Sequence, residues 1–80
     1  MTKEQMQIRE RLQAVAKEYN EAIDKGKVRE LRKVAERSHD TVLREIKEIE
    51  SAPVTDQQLL DEAMSLFIDI RWGQRTTKFV

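Results

Sequence analysis

Ser38, His39 and Asp40 set the three residue types of a hydrolytic triad side by side, and Glu36 with His39 makes one Glu-x-x-His step. Di-metal helical bundles use that step twice, so a dimer would supply the second copy. Both patterns fall in a helical stretch, where successive side chains diverge by about 100°. A triad needs its three groups to converge within hydrogen-bond reach, and consecutive helical residues do not. Glu36 falls well outside the apolar stripe that His39 borders, and no acid in the neighbouring helical segments sits on a core face. The expected role of His39 is structural: partly buried, bonded to Ser38 or to a backbone carbonyl. Glu45 with Glu48 and Asp61 with Glu62 pair carboxylates as acid–base sites do, but read more simply as solvated faces and a helix start.

The chain has no Cys, two Gly and one Pro. This removes disulfides, thiolate metal sites and cysteine nucleophiles, and no Gly-rich phosphate loop or nucleotide fingerprint is present. The sequence therefore predicts no catalytic residue, no metal, no cofactor and no small-molecule substrate.

Arg29, Lys33 and Arg37 recur every four residues and form a basic ridge that could meet nucleic-acid phosphates or an acidic partner. Residues 25–37 hold six basic against two acidic side chains, and residues 38–62 hold two against seven. The 15 basic and 15 acidic residues of the whole chain cancel, so any attraction to nucleic acid is local. Arg71, Arg75 and Lys78 could extend the ridge from the C-terminal end. No base-stacking aromatic accompanies it, and the helix that carries it is too long for a recognition helix after a tight turn.

The elements that position these residues are helices. The charged fraction is 38 % and the hydrophobic fraction 39 % over 80 residues, and the charged residues are interleaved with Leu, Ile, Val and Ala at helical spacing. Ile8, Leu12, Val15, Tyr19, Ala22 and Ile23 lay one stripe along a helix at about 3–24. A helix running straight through would put Gly26 and Arg29 on the seam, yet the stripe restarts at Val28, Leu31 and Ala35. The register breaks at Gly26, as an antiparallel hairpin requires.

The second helix, about 27–50, carries Val28, Leu31, Ala35, Val42, Ile46 and Ile49, with Val34 and Leu43 on its flanks. Ser51, Ala52 and Pro53 end it. Thr55 and Gln58 then have capping-box spacing, and Val54 and Leu59 that of a hydrophobic staple. The third helix, about 56–72, has Leu59, Ala63, Leu66, Phe67 and Ile70 as its main stripe, and residues 74–80 form a short tail. The fold expected is all-α: one domain over 1–73, a helical hairpin plus a third amphipathic helix, associating into a larger bundle.

The third helix is apolar around more of its circumference than the stripe of about 100° that one packed face needs. Two expectations follow. Either this helix is the central, most buried one, or Leu60, Met64, Phe67, Ile68 and Trp72 contact a second chain, identical or different. Trp and Met are enriched at interfaces, which favours the second. The longest apolar run, Leu66 to Ile68, is far below the roughly 20 residues of a membrane span, so no membrane contact is expected and a cytoplasmic location is. The function that fits is a non-enzymatic adaptor, regulator or inhibitor acting on a protein partner or as a homodimer, with nucleic-acid binding through the basic ridge as the alternative.

Overall fold

The computed structural model describes residues 2–51 and 56–73. Three helices follow one another: α1 Lys3–Asp24, α2 Val28–Ser51 and α3 Gln57–Arg71, with ends within one residue of those expected. Among the described residues there is no strand, and no helix is long and apolar enough to cross a membrane. The tail residues Arg75 and Lys78, and the expected cap and staple residues Thr55 and Val54, lie outside the described residues.

Helix α1 starts at a capping box. The Thr2 hydroxyl accepts from the Gln5 backbone N–H at 3.2 Å, and the Gln5 side-chain Oε1 accepts from the Thr2 backbone N–H at 2.6 Å. These reciprocal bonds satisfy two donors of the first turn and hold Gln5 buried. At the other end Lys27 N–H donates to the Ala22 carbonyl and Gly26 N–H to that of Ile23, a Schellman closure that needs a left-handed residue. Gly26 supplies it with φ +63°, and the chain reverses there. Asp56 caps α3, its carboxylate accepting from the amides of Gln58 at 3.1 Å and Leu59 at 3.4 Å.

Ion pairs between helices fix the relative directions. Arg11 reaches Glu45 and Glu48, while Glu18 further along α1 meets Arg37 earlier on α2, so α1 and α2 run antiparallel. Arg9 pairs with Glu62, and the Tyr19 hydroxyl donates to the Asp69 carbonyl at 3.3 Å, so α1 and α3 run parallel. Helix α2 packs extensively on both of the others, which touch each other less. The central helix is thus α2, not α3.

The core is Ile8, Leu12, Ala16, Tyr19 and Ala22 from α1, Val34, Val42, Ile46 and Ile49 from α2, and Leu59, Ala63, Leu66 and Ile70 from α3. On α2 its centre is rotated from the expected stripe toward Val34, Ser38 and Glu45, all buried, while Leu31 and Ala35 are only partly so. Val28 is 77 % exposed because α2 begins there, at the open end of the hairpin turn.

Glu45 corrects the expectation of a solvated acid. It keeps 2 % of its surface and accepts two hydrogen bonds from Arg11, from Nε at 2.7 Å and from Nη2 at 2.6 Å. A buried carboxylate is costly unless paired and hydrogen-bonded, and the two-pronged guanidinium meets both conditions. The hydrogen bond to Glu45 is the main reason that the Arg11 pKa is raised above its ordinary value.

Candidate interaction surface on the third helix

Helix α3 has an inner face, two flanks and an outer face, and the packing partners decide which is which. Leu59, Ala63, Leu66 and Ile70 are buried. Glu62 flanks them on the α1 side, where it pairs with Arg9. Leu60 and Phe67 flank them on the other, half-buried against the core. Phe67 there meets His39 of α2, ring centroids 4.7 Å apart and planes 30° from parallel. Two of the five residues expected at an interface therefore belong to the edge of the core.

The other three lie outside. Met64 is 40 %, Ile68 46 % and Trp72 69 % exposed. At about 100° per residue, Ile68 points about 170° from the mean direction of the four buried residues, with Met64 and Trp72 about 40° to either side of it. They form one ridge along the outer face, about 12 Å from end to end at the helical rise. Asp61 stands toward one end and Arg71 toward the other, both exposed. Asp61 also accepts a bond from the Gln57 side-chain Nε2 at 3.0 Å. Gly73, with φ +67°, follows Trp72 and stops the helix.

The basic ridge of α2 is only partly as expected. Arg29 and Lys33 are exposed, but Arg37 is held by Glu18 at 2.9 Å. Arg32 lies 3.9 Å from Glu36, and Lys27 3.4 Å from Glu30. Acidic neighbours thus answer much of the positive charge on this segment within the chain.

The chemistry-bearing trio on α2 diverges. Ser38 is buried, Asp40 points to solvent and His39 is partly covered; the His39 Nδ1 lies 3.8 Å from the Asp40 carboxylate, beyond hydrogen-bond reach. The neighbour of the imidazole is the Phe67 ring rather than Ser38. A solvent-open groove of about 310 Å³ between α2 and α3 is lined by Ala35, Glu36, His39, Ile70 and Arg71, so Glu36 and His39 do share one wall. Among the described residues no three His, Asp or Glu side chains come close enough to hold a metal ion.

The residue pair that sequence reasoning missed is Arg11 with Glu45. A signal was present on α2, since Glu45 stands three residues after Val42 and four before Ile49, within the buried stripe. Compared with protein-family models, with the curated proteins and with solved structures, the chain matches none.

Proposed function

We propose that this chain is a small, non-enzymatic interaction protein of the cytoplasm, an adaptor, regulator or inhibitor, that binds a partner protein through the ridge of Met64, Ile68 and Trp72, with Leu60 and Phe67 at its margin. The observation that carries this reading is the position of three large apolar side chains in a row on the face of α3 opposite the core. Single exposed apolar residues are ordinary on a protein surface; a continuous ridge ending in Trp is the make-up of an interface anchor. The test is affinity capture of the full chain from its native lysate, with and without nuclease, beside the Ile68→Asp/Trp72→Ser variant. A stoichiometric protein that survives nuclease and is lost with the variant is the expected result. Equal capture by both chains would overturn the reading.

A second reading, a nucleic-acid-associated module, draws on the exposure of Arg29 and Lys33, which form no ion pair among the described residues. Its weakness is Arg37, already engaged by Glu18. It expects binding that weakens steeply with salt and drops on alanine substitution of Arg29 and Lys33.

A further inference from the structure

We propose that the partner of the α3 ridge is a second copy of this chain, docked so that the two α3 helices cross antiparallel about a two-fold axis level with Leu66, with Asp61 of each copy against Arg71 of the other. The inference rests on the reading of the ridge as an interaction surface and goes beyond it in naming the occupant.

The argument is one of self-complementarity. A two-fold interface requires one patch to match itself after rotation. Asp61 and Arg71 stand five residues to either side of Leu66, about 7.5 Å each along the axis at the helical rise. Antiparallel docking therefore brings each carboxylate level with the other copy's guanidinium, twice per dimer. Met64 and Ile68 are also spaced equally about Leu66, so that Met64 of one copy meets Ile68 of the other and Trp72 lies over Leu60 beside Asp61. Asp61 and Arg71 are both exposed, and their ion pairs are free to form between copies.

The alternatives within the same ridge fail on charge. Parallel docking puts Asp61 against Asp61 and Arg71 against Arg71, and it aligns the two helix dipoles. Antiparallel docking opposes those dipoles and alternates the charges. One helix per copy offers less than the about 800 Å² per partner of a standard interface, so the expected dissociation constant is micromolar.

The test is the mass of the full chain by sedimentation and light scattering from micromolar to millimolar concentration, with far-UV circular dichroism as the check on folding. Wild type is expected to pass from monomer to dimer. Ile68→Asp is expected to weaken the dimer at least about thirty-fold, the effect of a lost interface anchor, at unchanged helicity. Asp61→Arg and Arg71→Asp are each expected to weaken it about ten-fold by setting like charges together, and the double exchange to restore it. A wild type that stays monomeric throughout, whether residues 74–80 or another protein cover the ridge, overturns the second copy and leaves the interaction reading standing. A dimer indifferent to Ile68→Asp overturns both. A dimer lost with Ile68→Asp but not restored by the charge exchange overturns the antiparallel pairing. Should Ile68→Asp lose helicity, Met64→Lys on the same ridge takes its place, with the same outcomes.

Discussion

Arg11 grips Glu45 across the α1–α2 interface with two nitrogens at 2.7 and 2.6 Å, and the two partners differ sharply in their access to water. The Glu45 side chain is 2 % exposed and that of Arg11 43 % exposed. Arg11 has a further carboxylate, Glu48, at 3.1 Å, whereas Glu45 depends on Arg11.

That asymmetry makes the two halves of the pair unequal under mutation. Arg11→Met strands a buried carboxylate and is expected to cost about 3 kcal/mol, the scale for breaking a buried pair from one side. Glu45→Met leaves Arg11 with water and Glu48, and fills the site with a side chain of similar volume; the expected change is under about 1 kcal/mol. Urea denaturation of both variants checks the order. Equal losses would mean that the pair acts as two exposed charges do.

Tyr19 gives the fold an alkaline limit. Its hydroxyl is buried beneath α3, and burial, followed by the charge of Asp69, raises its pKa above the ordinary phenol value. The unfolded chain therefore ionises first as pH rises past about 10, and stability present below that value is lost as pH climbs toward the folded pKa. Tyr19→Phe is expected to cost about 1 kcal/mol at neutral pH through the lost bond to Asp69 and to flatten the alkaline part of the stability–pH curve. Thermal melts across that range, with a parallel slope in both chains, would contradict it.

Gly26 tests the turn. A Cβ at this position meets nothing within 4 Å, so the cost of Gly26→Ala comes from the left-handed backbone alone, about 1 kcal/mol. Gly26→Asn, which tolerates that conformation better, is expected to cost less. A chain stabilised by Ala at 26 would instead favour one continuous helix through the turn.

The outer face of α3 should be nearly silent in stability. Trp72→Ser and Met64→Ser are expected to change the unfolding free energy of the monomer by under about 0.5 kcal/mol, while Leu66→Ala costs about 2 to 5 kcal/mol through the cavity it leaves. Denaturation at concentrations below the onset of any association checks both, and a large loss at Trp72 would place it in the core.

The helices were legible because each carries its own apolar period, and the hairpin because that period breaks at Gly26. What the sequence hid depends on more than one helix at a time. Glu45 reads as a solvent residue by its type, although its place between Val42 and Ile49 puts it on the inner stripe; the group that neutralises it stands on α1, out of reach of local pattern. Val28 matches the period, but it is the first residue of its helix and stays exposed. Thr55 and Asp56 are both good caps one residue apart, and Asp56 takes the role. The excess apolar surface of α3 was plain from its residues, but its division was not. In the bundle Leu60 and Phe67 pack against the core, Phe67 beside His39 of α2, and Met64, Ile68 and Trp72 are left outward.

That division gives α3 two vocabularies that barely share a word. Leu59, Ala63, Leu66 and Ile70 answer to the bundle, while Met64, Ile68 and Trp72 answer to whatever lies outside it. The outward set is thus open to exchange, residue by residue, at little expense to the buried residues that hold the bundle together.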